Sequence, residues 1–104
     1  MQDYIDAGPG YCVDGSSTEP PKFYFESKSY LDCETACNDL DGCIAFDVLK
    51  NMMCNLRFAS NDDLNASPNP NNLQKWPHGC KNDCRTNYVG SGGFKGRCWI
   101  KIRG

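Results

Sequence analysis

A chain of 104 residues with eight cysteines and a net charge of -2 has room for one domain whose apolar core is thin relative to its surface. An even number of cysteines in so short a chain points to a disulfide framework, and hence to an oxidising, secreted or extracellular setting. No run approaches the roughly 18 apolar residues of a membrane helix, which argues against membrane insertion, and slight acidity argues against nucleic acid as a partner.

The opening Met1-Gln2-Asp3-Tyr4 has neither a basic n-region nor an apolar h-region, so the expectation is a signal peptide already removed or replaced by a start Met. Residues 1–9 read as an irregular segment punctuated by Gly8-Pro9-Gly10, followed by a short strand at 11–13. Residues 14–21 form a loop closed by two prolines. Lys22-Phe23-Tyr24-Phe25-Glu26 is a strand, with Phe23 and Phe25 assigned to the core and Tyr24 open to surface or ligand contact.

Ser29 followed by Asp32 is a capping-box-like helix start, and residues 30–40 carry Cys33, Cys37 and Leu40 on one face. Gly42 is the expected stop. A hairpin follows. Residues 43–48 place Ile44, Phe46 and Val48 on one face and Cys43, Ala45 and Asp47 on the other. Lys50-Asn51 is the turn, and residues 53–58 return with Cys54, Leu56 and Phe58 opposite Asn55 and Arg57.

Residues 59–76, rich in Asn and Pro, read as a long exposed loop. It carries the sequon Asn65-Ala66-Ser67, so Asn65 is a candidate glycosylation site, although Pro68 directly after it disfavours its use. Cys80 and Cys84 bracket a short loop, and 89–96 is a glycine-rich turn. Residues 97–103 form the clearest strand, with Cys98, Ile100 and Ile102 facing one way and Arg97, Trp99, Lys101 and Arg103 the other.

Charge divides along the chain. Residues 1–63 hold twelve acids against four bases, and residues 64–104 hold seven bases against Asp83. In one small domain the halves are expected to lie against each other or to form two surface faces; the alternative is a basic face that binds an anionic partner.

The spacing Cys33-x3-Cys37-x5-Cys43-x2-Phe46, then Cys54-x-Leu56, with a leading Gly10-Tyr11-Cys12 and a closing Cys98, resembles the PAN/apple domain. The resemblance covers residues 10 to about 102, so 1–104 reads as one PAN/apple-like domain. It implies an α+β fold, one helix packed on a curved antiparallel sheet. It also implies the bridges Cys12–Cys98, Cys33–Cys54 and Cys37–Cys43, leaving Cys80 to pair with Cys84. The Cys80/Cys84 pair, the Asn/Pro loop and the glycine-rich turn depart from the family's minimal pattern.

Four other chemistries fit less well. Zinc lacks a Cys-x2-Cys pair and has only His78 to add. A hydrolase lacks a nucleophile motif beside that histidine, which is expected to be exposed between Pro77 and Gly79. Calcium is suggested by Asn38-Asp39-Leu40-Asp41-Gly42, but the closing Glu position is Lys50. Nucleic acid is suggested only by Lys95, Arg97, Trp99, Lys101 and Arg103, which suit an anionic glycan or acidic protein better.

The expectation is therefore a non-enzymatic module without metal or cofactor, binding an extracellular protein or glycan in recognition or adhesion, as PAN/apple domains do. Two alternatives are a free-standing secreted effector that blocks a larger protein and a self-assembling structural subunit. The expected ligand face is Trp99, Arg97, Lys101 and Arg103, flanked by Trp76, Tyr88 and the 90–96 turn; packing under the loop or against Trp76 is the competing role for Trp99.

Overall fold

The computed structural model describes residues 3–27, 29–49, 53–80, 84, 88–93 and 96–102. Along the chain, strands β1 (Tyr4–Pro9), β2 (Cys12–Val13) and β3 (Lys22–Glu26) precede helix α1 (Tyr30–Asn38). The hairpin strands β4 (Cys43–Leu49) and β5 (Met53–Phe58) follow, then α2 (Asn61–Ala66), β6 (Gln74–Trp76), β7 (Val89–Gly90) and β8 (Gly96–Lys101). Six strands form one antiparallel sheet in the order β1-β8-β4-β5-β3-β6, and β2 pairs with β7 in a separate ribbon. The domain is thus a small disulfide-rich α+β fold.

Helix α1 starts where the capping pattern places it: the Ser29 side chain accepts a hydrogen bond from the Asp32 backbone N–H at 3.1 Å. It ends at Asn38, with Asp39 as its C-cap, earlier than the expected Leu40. Gly42 is not the stop. Its role is clearance, because a Cβ there would lie 3.1 Å from the Phe58 ring.

Alternation along the central strands sends side chains to two faces, and both are covered. On the helix face, Cys33, Cys37 and Leu40 meet Phe23, Phe46, Cys54, Leu56 and Phe58 in one apolar cluster. Cys33–Cys54 and Cys37–Cys43 fasten the helix to this face. The strand pattern put Cys43 with Ala45 and Ile44 with Phe46; a register shift between Cys43 and Ala45 separates both pairs. Cys43 consequently joins the helix-side cluster, and Ile44 packs with Ala45 on the other side.

The second face is roofed by the β2–β7 ribbon, held through Cys12–Cys98, and by the 14–21 loop. Buried Asp14 folds that loop by accepting from Ser16 N and Thr18 N at 2.9 and 3.0 Å. Gly90 lets the ribbon approach the chain at Gly8 and Pro9, where a Cβ would collide with both carbonyl oxygens.

Three segments differ from expectation. Residues 4–9 are a strand, not an irregular lead, because β1 finds its partner in β8 at the far end of the chain. The 59–76 loop contains α2, capped by Ser60 Oγ on Asp63 N, and Leu64 of that helix is fully buried. The same stretch contains β6, which pairs with β3. Cys80–Cys84 is the fourth disulfide. The expected turn at Lys50-Asn51 lies outside the described residues.

Candidate recognition surface

The basic strand β8 is mostly spent on its own domain. Arg97 Nε donates to Asp6 Oδ2 at 2.7 Å, joining the two charge-opposed ends of the chain. The Gly8 backbone N–H and then Arg97 hold the Asp6 carboxyl below its usual range. Lys101 Nζ donates to the Cys37 and Leu40 carbonyls at 2.9 and 3.4 Å, which satisfies the C-terminal end of α1. Partial burial there lowers the Lys101 pKa.

Trp99 is half-buried against the helix-side core, with its ring edge-to-face on Tyr30 at 5.6 Å between centroids. Its ring partner is Tyr30 of the helix, and Trp76 lies on β6 at the far edge of the sheet. Its indole nitrogen is buried without a hydrogen-bond partner among the described residues. The halves of the chain therefore do lie against each other.

Tyr88 is not on a surface. It is 2 % exposed, its hydroxyl donates to the Phe58 carbonyl at 2.9 Å, and burial raises its pKa far above the usual tyrosine value. The 90–96 turn is tied down where it is described, with Ser91 N donating to Tyr11 O and Gly92 N to Pro9 O. Lys95 and Arg103 lie outside the described residues. Asn65 is exposed on α2, where its side-chain oxygen accepts from Lys75 Nζ at 3.1 Å.

Trp76, another of the expected ligand residues, belongs to a cation–aromatic group on the β3–β6 pair. It lies on β6, directly across from Lys22 on β3, while Gln74 lies across from Tyr24. Lys22 Nζ sits 5.2 Å from the Tyr24 ring centroid and 5.4 Å from that of Trp76, within cation–π range of both. Glu19 holds the same ammonium at 3.5 Å. Desolvation lowers the Lys22 pKa, with Arg57 adding to the fall and Glu19 opposing it. His78 completes the group, exposed as expected and edge-to-face with Trp76 at 5.2 Å. Tyr24 also donates a long hydrogen bond to Gln74 Oε1 at 3.4 Å.

Beneath this platform the same sheet face becomes a buried polar network. Arg57 Nε donates to Asp47 Oδ2 at 2.8 Å, Arg57 Nη1 to Glu19 Oε2 at 2.7 Å, and Asn55 Nδ2 to Asp47 Oδ1 at 2.6 Å. The Cys12 backbone N–H also reaches Asp47 Oδ2, at 3.0 Å. Burial alone would lower the Arg57 pKa, but Asp47 and Glu19 outweigh it and the guanidinium stays charged. No family model, curated protein or solved structure matches the chain.

Sequence reasoning missed Lys22 and Gln74 because their significance lies in cross-strand neighbours that only the β3–β6 pairing supplies. Phe25, assigned to the core, is only partly buried; it packs against the core from outside, at the open end of β3.

Proposed function

We propose that this domain is a non-enzymatic extracellular recognition module of PAN/apple type, binding a protein or carbohydrate partner through the open β3–β6 face. The observation that carries the reading is the Tyr24–Lys22–Trp76 stack at the outermost strand pair of the sheet. Two aromatic rings held in place by a cation combine large contact area with little conformational freedom to lose, and Gln74 and His78 add polar groups at their margin. Four disulfides support an oxidising, extracellular setting. No helix among the described residues is long and apolar enough to cross a membrane. His78 spends its ring contact on Trp76, so it belongs to an aromatic surface in this reading.

The test is retention of the intact domain on arrays of glycans and of extracellular proteins, with Trp76→Ala and Tyr24→Ala as variants. The expected result is a ligand whose affinity falls about 30-fold in Trp76→Ala, as for a central aromatic anchor, with the melting temperature little changed. A ligand held equally by wild type and by the folded double variant would overturn the assignment of this face.

A further inference from the structure

At the end of β3 away from Trp76, two concavities of about 360 and 350 Å³ adjoin. Both are lined by Phe25 and Leu73, which pack on the core from outside and leave part of their surface in solvent. Met53 extends the apolar floor on one side and Ala36 of α1 on the other. Three carboxylates stand along the rim, Glu26 in the first hollow and Asp32 and Asp39 in the second, all on exposed residues. Among the described residues none of the three takes part in an ion pair.

The ridge between the hollows is preformed. Asn69 grips Leu73 by both of its backbone polar groups, accepting from Leu73 N at 2.8 Å and donating to Leu73 O at 2.9 Å. The intervening Asn72 takes a left-handed conformation, φ 53°, that asparagine tolerates better than most residues. A ligand meeting this groove has little loop ordering to supply.

We infer that the groove around Phe25 and Leu73 is a docking site for an extended, basic segment of a protein partner, with an apolar side chain seated beside the Phe25–Leu73 ridge. The apolar floor asks for a hydrophobic anchor, and the acidic rim selects a cationic neighbour for it. Spacing refines the ligand. Asp32 and Asp39 lie seven residues apart on and just past α1, about 10 Å along a helix. Two basic side chains three residues apart in a polyproline-II segment lie about 9 Å apart on one side. The fitting pattern is therefore basic-x-x-basic with an apolar residue between. This inference rests on the recognition-module reading; Tyr24 and Gln74 of the platform also line the first hollow, but Trp76 lines neither.

The experiment is an NMR titration of the intact domain with the peptide acetyl-Arg-Leu-Pro-Arg-amide, against acetyl-Glu-Leu-Pro-Glu-amide and acetyl-Arg-Gly-Gly-Arg-amide. Saturable shifts confined to residues around Thr35, Ala36 and Leu73 are expected with the first peptide, at least fivefold weaker with either control. The folded double variant Glu26→Gln/Asp39→Asn should weaken binding by a similar factor, and Trp76→Ala should leave it unchanged. Shifts spread over every acidic residue, equal response to the acidic peptide, or no saturable response would overturn the proposal. So would concentration-dependent self-association that the double variant abolishes, since the occupant would then be a second copy of the chain. Loss of array binding in Trp76→Ala with no peptide response would leave the platform standing and this site refuted.

Discussion

The two faces of the central sheet are held by different physics. Helix α1 covers one with apolar contacts and two disulfides that close loops of 21 and 6 residues. The ribbon and the 14–21 loop cover the other, over a charged network and a single disulfide spanning 86 residues. The helix face is assembled from near neighbours, so each closure costs little chain entropy. The ribbon face joins the two ends of the chain and depends on directional groups that must all be satisfied together. The difference explains why a stretch dense in cysteine is scaffold.

The comparison is broken most severely by removing the ribbon's staple. Cys12→Ser with Cys98→Ser should cost about 4–5 kcal/mol on the loop-entropy estimate, against about 3 kcal/mol for the Cys33–Cys54 pair; urea unfolding of both variants gives the ranking. Next comes Arg57→Ala, which strands Asp47 in a dry site and should cost about 3–5 kcal/mol. Replacing Arg57 and Asp47 together by leucine should recover most of that loss, and a double variant as unstable as the single one would show that the network is not the cause.

Trp99→Ala should lower stability by about 2 kcal/mol, less than a fully buried Trp would, because the ring is only half-buried between β8 and α1. An unchanged melting temperature would return Trp99 to the surface. High pH probes both faces at once. Tyr4 in the helix-side core and Tyr88 in the ribbon-side core have pKa values raised from 10.0, chiefly by burial. Both bind protons more tightly folded than unfolded. Their contribution is complete below about pH 10 and is lost as pH rises toward the folded values, a fall partly offset by Lys22 and Lys101, whose pKa values are lowered. Denaturant midpoints between about pH 8 and about pH 11.5 should drop, and Tyr88→Phe should flatten the slope. The smallest effect is Arg97→Ala: its bridge to Asp6 is exposed on both sides, and the change should stay within about 0.5 kcal/mol.

Much of the fold was legible in residues close together in sequence. The Ser29 cap, the buried stripe of Cys33, Cys37 and Leu40, the alternation of residues 53–58 and the last strand all follow from local periods and capping chemistry. Three cysteine pairings agree with the family pattern that the spacing resembles, and the fourth joins Cys80 and Cys84, the pair which that pattern leaves over. Helix α2 had a readable signal in Ser60 and Asp63, masked by the surrounding Asn and Pro. Strand β1 had none strong enough alone, since its partner lies at the opposite end of the chain.

The site was less legible for the same reason. Arg97 and Lys101 look free in sequence because their partners, Asp6 and the carbonyls at the end of α1, are more than sixty residues away. Asn55 and Arg57 read only as the strand face opposite Cys54, Leu56 and Phe58; the fold buries both, with Glu19 and Pro20 of the 14–21 loop meeting Arg57 and Asp47 meeting Asn55. Local sequence determined which segments become helix and strand, because backbone propensity, caps and side-chain period act over a few residues. Tertiary structure alone decided which polar side chains are spent inside the domain and which remain for a partner, because that depends on long-range pairing and on what each strand finally lies beneath.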